Sequence, residues 1–295
     1  MAERDETEKT VGIAGLGIMG GAIAANLLDR GWRVIGYDVL PERIDELRPL
    51  GLIAAPDIAN LAGEAPIVLT SLPSPAVARQ VMGEIAGSGA LPRIVAEMST
   101  LAIADKLALK AILDPAGHIA LDCPLSGTGA QAKTRDLGVY ASGDAEAIAR
   151  CKPLFDDFAR QSADLGEYGN GSRMKFVANL LVAIHNVATA EAMLVAERAG
   201  LDFAKVIELI GPGAGGSRMF QMRAPMMADG VYEPATMRMS TWRKDMEIIE
   251  AFAEGLGCTT PLFTATRPIY EKALAMGLGE QDTAAVFEVL KTSDN

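Results

Sequence analysis

The chain is predicted to be an α/β protein: a doubly wound, mostly parallel sheet on the N-terminal side, followed by an all-α C-terminal domain. Three observations predict it. Short apolar runs alternate with segments of helical periodicity over the first half of the chain, the pattern of a parallel sheet covered on both faces. A glycine-rich turn joins the first run to the first helix, and beyond residue 169 the strand pattern stops while the helical one continues.

The first run, Thr10-Val-Gly-Ile-Ala14, leads into Gly15-Leu-Gly-Ile-Met-Gly20 and then into an apolar helical stretch ending near Leu28. In such a turn the first glycine permits the tight bend, the second lets the backbone approach a pyrophosphate, and the third lets the helix lie close to the strand. Backbone N–H groups and the positive end of the helix dipole then face the phosphates. Gly15, Leu16, Gly17, Ile18, Met19 and Gly20 are thus the expected dinucleotide cradle of a Rossmann-type domain. The second run, Trp32 to Asp38, ends in an acid eighteen residues after Gly20, where this fold places a ribose-binding carboxylate. Asp38 repels a 2′-phosphate and Val39 offers no cation, so NAD is expected over NADP. The alternative use of Asp38 is as a solvated strand end or the N-cap of a helix at Pro41.

The remaining elements follow in order. Ile67–Leu72 is a strand followed by a helix over Pro75–Ala86; Arg93–Glu97 is followed by a helix over Leu101–Leu113; His118–Asp122 and Leu137–Ser142 are further strands; a helix runs from Asp144 to Arg160; and Ser162–Gly166 closes the sheet. At Gly169-Asn-Gly-Ser172 the character changes, and Arg173 to Ala199 forms one long helix, stopped at Gly200. Helices are expected at Asp202–Ile210, Gly216–Met227, Thr241–Leu256, Pro261–Met276 and Asp282–Leu290, with Asp202 and Asp282 as N-caps. The expected organisation is a disordered tail over 1–9, a dinucleotide-binding domain over 10–169, and an all-helical substrate and dimerisation domain over 170–295. The long apolar helix favours a homodimer or homotetramer formed through the helical domain, although a central helix in a monomer gives the same pattern.

Composition excludes several classes. A net charge of −11 disfavours nucleic acid as partner. Three cysteines, Cys123, Cys151 and Cys258, are widely spaced and odd in number, and only His118 and His185 are present, so neither a disulfide framework nor a metal site is expected. No charge-free apolar run reaches the length of a membrane span, and the charged start lacks a signal segment, which together point to a cytoplasmic protein. None of the five tyrosines is followed four residues later by lysine, against a short-chain dehydrogenase.

Four ordered motifs carry a resemblance to the 3-hydroxyisobutyrate dehydrogenase, or β-hydroxyacid dehydrogenase, family. They are Gly15-Leu-Gly-Ile-Met-Gly20 with Ala25-Asn-Leu27; Asp122-Cys-Pro-Leu-Ser-Gly-Thr128; Gly169-Asn-Gly-Ser-Arg-Met-Lys175-Phe-Val-Ala-Asn179; and Lys244-Asp245. The second departs from the family pattern at Thr128, where a glycine is usual.

Lys175 and Asn179, four apart on one helix face after a glycine hinge, suit general acid/base work in an interdomain cleft. A lysine flanked by Met174 and Phe176, near a cationic partner, can have its proton affinity lowered; the plainer reading is a solvated lysine beside a surface asparagine. Ser126, Gly127 and Thr128 offer hydroxyls and N–H groups to a substrate carboxylate, or form an ordinary turn. Arg218, Arg223 and Arg243 are further candidates for an anionic tail, each more simply a surface or dimer-contact residue. The resemblance implies cofactor contacts at Leu72, Pro73, Ser99, Thr100 and Lys244, with Asp245 as partner to Lys244; Ser99 also suits an N-cap and Pro73 a strand end. It further implies hydride transfer between NAD and a small, anionic β-hydroxy acid or its semialdehyde, 3-hydroxyisobutyrate or tartronate semialdehyde in type. Lys175 serves as the acid/base. Decarboxylating oxidation of the 6-phosphogluconate type, imine reduction, and non-catalytic dinucleotide sensing remain as alternatives.

Overall fold

The computed structural model describes residues 9–293; apart from Lys9, the expected N-terminal tail lies outside them. Packing divides the chain into two compact units that part after Lys175.

The first unit holds nine strands among the described residues. Six of them, β1 (Thr10–Ala14), β2 (Arg33–Tyr37), β3 (Ile53–Ala54), β4 (Ile67–Thr70), β5 (Ile94–Glu97) and β6 (Ile119–Asp122), pair in parallel in the order β3-β2-β1-β4-β5-β6. Apart from the short edge strand β3, whose Ile53 is exposed, their interiors are apolar and buried, as strands covered on both faces must be. The order reverses between β1 and β4, the place where ligands enter an open α/β sheet, outside the carboxyl ends of the strands. The helices of this half are α1 (Ile18–Asp29), α2 (Pro41–Leu47), α3 (Ile58–Glu64), α4 (Pro75–Gly87) and α5 (Ile103–Leu113).

Beyond β6 the sheet departs from the expected parallel continuation. After β7 (Leu125–Ser126) the chain turns through the short helix α6 (Gly129–Lys133), too brief to carry a parallel crossover. Consequently β8 (Gly138–Gly143) runs antiparallel to both β7 and β6. After α7 (Ala145–Phe158), capped by Asp144, β9 (Gln161–Asp164) pairs in parallel with the other edge of β8.

The long helix α8 (Asn170–Arg198) begins in the first unit and contributes its residues from Phe176 onward to the second. By length and composition alone it is long and apolar enough to cross a membrane. Its bonding is that of a core helix: Asn186, fully buried, donates to Tyr270 Oη at 3.0 Å and to the Thr283 carbonyl at 2.8 Å, and Tyr270 Oη donates to the Ala183 carbonyl at 3.2 Å. The second unit continues with α9 (Phe203–Ile210), α10 (Arg218–Asp229), α11 (Met239–Gly255), α12 (Pro261–Ala275) and α13 (Val286–Ser293). Gly200, at φ +70°, ends α8, and the Asp202 carboxylate accepts from Ala204 N to start α9. Asp282 caps a 3-10 turn over Thr283–Ala285 that precedes α13.

Candidate active site

The glycine turn separates packing from ligand demands. A Cβ at Gly15 would stand 2.2 Å from the Ser71 carbonyl, and one at Gly20 would stand 1.9 Å from the Gly15 carbonyl, so the protein itself requires both glycines. At Gly17 a Cβ would meet nothing within 4 Å, and φ is an ordinary −66°. Neither packing nor backbone conformation demands glycine there, whereas close approach by a phosphate at the start of α1 would. Gly17 and Ile18 are exposed, Met19 is half-buried, and no acid occupies the first turn of α1. The cradle fits a dinucleotide pyrophosphate.

Asp38, just beyond β2, is neither a free strand end nor a helix cap. Its Oδ2 accepts from Leu16 N at 2.6 Å and its Oδ1 from Leu40 N at 2.9 Å, whereas the N-cap of α2 is Leu40. The carboxylate is thus tied to the glycine turn and keeps spare lone pairs. The next residues, Val39 and Leu40, are exposed and uncharged.

Ser99 joins two of the segments that the resemblance marks. Its hydroxyl accepts from Leu72 N at 2.8 Å, and its own N–H donates to Glu97 Oε1 at 2.9 Å. It is not an N-cap: α5 starts four residues later, after Ala102. Pro73 is exposed, and Leu72 and Thr100 are half-buried.

The 122–129 segment packs against the glycine turn. A Cβ on Gly129 would lie 2.4 Å from Ile18 Cγ2, and Asn26 Nδ2 of α1 donates to the Ala132 carbonyl at 2.8 Å. Gly127 sits at φ +132° with the Leu137 side chain where a Cβ would go, so this position also requires glycine. Ser126 is half-buried; Thr128 is the buried N-cap of α6 and donates its N–H to Gln131 Oε1 at 3.1 Å in a capping box. Thr128 stands where the family pattern has glycine.

The start of α8 is anchored from outside the helix. Its opening N–H groups need acceptors: Ser142 Oγ accepts from Gly171 N at 2.9 Å, and Asp122 Oδ2 accepts from Ser172 N at 2.8 Å. Ser172 Oγ donates to Asp122 Oδ1, also at 2.8 Å. A Cβ at Gly171 would stand 2.2 Å from the Tyr140 carbonyl and 2.7 Å from that of Asp122, which explains the second glycine of the 169–179 motif. Lys175 follows one turn later and is buried, 6% exposed.

Asp122 itself belongs to a buried ionic cluster that sequence reasoning passed over. Lys106, fully buried on α5, pairs with Glu97 and with Asp122 Oδ1, the latter at 2.9 Å. Burial pulls the lysine pKa down, but Glu97 first and Asp122 second outweigh it, and the ammonium holds its proton more tightly than in water. The signal was available: two neighbouring strands each end in an acid.

In the second unit, Asn179 Nδ2 donates to Asp245 Oδ2 at 3.2 Å, and Lys244 Nζ stands 3.2 Å from Asp245 Oδ1. Asn179 and Asp245 are buried and Lys244 is half-buried. Arg223 is neither a surface residue nor a candidate for an anionic tail: it is buried, 2.6 Å from Asp282 and 2.8 Å from Thr236 Oγ1. Two more N–H groups and a hydroxyl converge on the same Asp282 carboxylate, so the pair belongs to the core. Arg218 and Arg243 are exposed.

Two family models match in tandem. The NAD binding domain of 6-phosphogluconate dehydrogenase covers residues 10–167, and the NAD-binding model of NADP-dependent 3-hydroxyisobutyrate dehydrogenase covers 169–290. L-threonate dehydrogenase of Haemophilus influenzae is 30% identical, the match covering 95% of this chain and 94% of that protein. The 3-sulfolactaldehyde reductase of Escherichia coli is likewise 30% identical, covering 96% of each. A crystal structure of 3-hydroxyisobutyrate dehydrogenase from Salmonella typhimurium superposes with a TM-score of 0.86 at 30% identity, covering 95% of this chain and 99% of that one.

Proposed function

The chain belongs to the 3-hydroxyisobutyrate dehydrogenase family and is an oxidoreductase, and from that premise we propose that it moves a hydride between NAD and a small β-hydroxy acid or its semialdehyde, with Lys175 as general acid/base. One observation carries this reading. The glycine turn after β1, the 122–129 segment after β6 that packs on Ile18, and the helix start hung from Asp122, one turn before Lys175, all belong to one unit.

When bound, the nicotinamide supplies or accepts the hydride; the chain supplies binding, alignment and proton transfer. Gly15 to Gly20 hold the pyrophosphate and Asp38 the adenosine ribose, with Leu72, Pro73, Ser99, Thr100 and Lys244 lining the remainder. Ser126, Gly127 and Thr128 receive the substrate carboxylate. Lys175 Nζ takes the alcohol proton in oxidation and returns it in reduction, and Asn179, held by Asp245, orients the same oxygen. NAD is favoured over NADP because Asp38 stands at the ribose position and neither Val39 nor Leu40 is cationic.

In this reading residues 10–169 are the dinucleotide domain and 170–295 the substrate and dimerisation domain of a cytoplasmic enzyme. A homodimer or homotetramer is supported by the outer face of α8, where Val177, Leu181, Ala188, Ala192 and Val195 are exposed at helical spacing.

The test is Lys175→Met, assayed at the nicotinamide band on a panel of β-hydroxy acids and semialdehydes. Turnover falls by about three orders of magnitude or more, in the range of lost acid/base catalysis, while dinucleotide binding persists. Retained turnover refutes the role of Lys175. Dinucleotide binding without turnover in the native chain, on every compound and in both directions, identifies a sensor instead.

A further inference from the structure

We propose that Lys106 is a positioning residue: its ammonium clamps the ends of β5 and β6 together and so sets the start of the helix that carries Lys175. The proposal rests on the assignment of Lys175 as the acid/base and deepens it.

The ammonium has three protons and finds three acceptors. They are Glu97 Oε2, the Glu97 carbonyl at 3.2 Å, and Asp122 Oδ1 at 2.9 Å. All three residues are buried to 2% exposure or less. Each carboxylate then spends its other contacts on a different part of the site. Through Oε1, Glu97 receives Ser99 N, and Ser99 Oγ receives Leu72 N. Through both oxygens, Asp122 receives the N–H and hydroxyl of Ser172, and Ser142, which faces Asp122, receives Gly171 N. The α5 backbone is tied in as well, since Tyr168 Oη donates to the Lys106 carbonyl at 3.0 Å. One cation therefore joins a dinucleotide-side branch to a helix-start branch.

Burying one cation with two carboxylates is a poor route to stability, because apolar side chains of similar volume pack as well without the desolvation cost. What the trio does that an apolar core cannot is fix direction. Two strand ends are held by bonds of defined geometry, and the first turn of α8 hangs from one of them. Misplacement of a reacting group by about 1 Å costs up to about a hundredfold in rate, and Lys175 lies three residues from Ser172.

The experiment is a double-mutant cycle on kcat in the full-length enzyme, with NADH affinity and melting temperature measured on every variant. The cycle uses Lys106→Met, Ser172→Ala and their combination. Glu97→Gln/Lys106→Met, which keeps the net charge of the trio, replaces the first variant if that one does not fold. Lys106→Met lowers kcat about tenfold or more. Ser172→Ala, which leaves all three charges in place, lowers kcat about threefold or more with NADH affinity unchanged. The combined loss is well short of the product of the two, because both act through one path. Independent, multiplicative losses overturn the proposal, as does a lower melting temperature with kcat per folded molecule intact. Full kcat in Ser172→Ala overturns it whether or not the Lys106 variants fold. Lys175→Met distinguishes the two readings: if it is inactive while the Lys106 and Ser172 variants are fully active, only the positioning role fails, and if it is active, the acid/base assignment fails.

Discussion

Asn179 and Asp245 form a buried hydrogen bond, Nδ2 to Oδ2 at 3.2 Å, between two segments far apart in sequence, and the second carboxylate oxygen faces Lys244 Nζ. The amide is thereby oriented, with one N–H committed to the carboxylate. Asp245→Ala frees the amide to rotate and removes the partner of Lys244. We expect kcat to fall about tenfold to a hundredfold, with a smaller change in NADH affinity; a kcat within twofold of native removes Asn179 orientation from the mechanism.

The three glycines of the first turn are expected to fail in different ways. Gly20→Ala forces a Cβ against the Gly15 carbonyl and costs about 3 kcal/mol or more, the upper range for overpacking. Gly17→Ala meets no protein atom, so its melting temperature stays near native while dinucleotide affinity drops about tenfold, which is about 1.4 kcal/mol. Calorimetry with an NADH fluorescence titration separates the two. A stable Gly17→Ala variant that binds NADH normally shows that no phosphate approaches that residue.

Asp38→Ala removes the acceptor for Leu16 N along with the negative charge at the end of β2. We expect NAD to bind about tenfold more weakly, as for loss of a charge-assisted hydrogen bond, and discrimination against NADP to relax. Steady-state KM values for both dinucleotides check it; unchanged selectivity places the ribose elsewhere.

The thiols predict an alkaline limb of stability. Cys123 and Cys151 are buried, and Cys258 is exposed. Burial raises the Cys123 thiol well above its ordinary range and the Cys151 thiol to about 12, whereas an unfolded thiol titrates near about 8.5. A folded value above the unfolded one means stability that is fully present below about pH 8.5 and is lost as pH rises towards the folded value. Denaturation at pH 7 to 11 shows this loss, and Cys151→Ala reduces it. In the native protein at neutral pH, Ellman's reagent detects one fast thiol, and all three only after unfolding; three fast thiols in the native state contradict the burial.

Local chemistry made much of this molecule legible. The glycine turn, the acid at Asp38, and the change at 169 from alternating to purely helical pattern each follow from short-range rules of turn geometry and periodicity, and Asp202 reads correctly as an N-cap for the same reason, whereas Asp282 caps a 3-10 turn ahead of the last helix. The reversal of β8 did not: it depends on α6 being too short for a crossover, and the residues of β8 read equally well in either direction. Arg223 resembled a surface residue because charge in a sequence signals solvent, and only the fold supplies the buried Asp282 that satisfies it.

Periodicity and spacing in one dimension were sufficient for the α/β class and the glycine turn, while the candidate amine at Lys175 came from the resemblance to the family. They were silent on what holds those parts in register. Glu97, Lys106, Asp122 and Ser172 come from two strand ends and two helices, and they pair only when the sheet brings them within bonding distance. Gly17 and Gly20 look alike as letters; one faces open space and the other a carbonyl oxygen. Such distinctions arise from through-space contact, which spacing along a chain does not encode, and so the folded structure alone decided them.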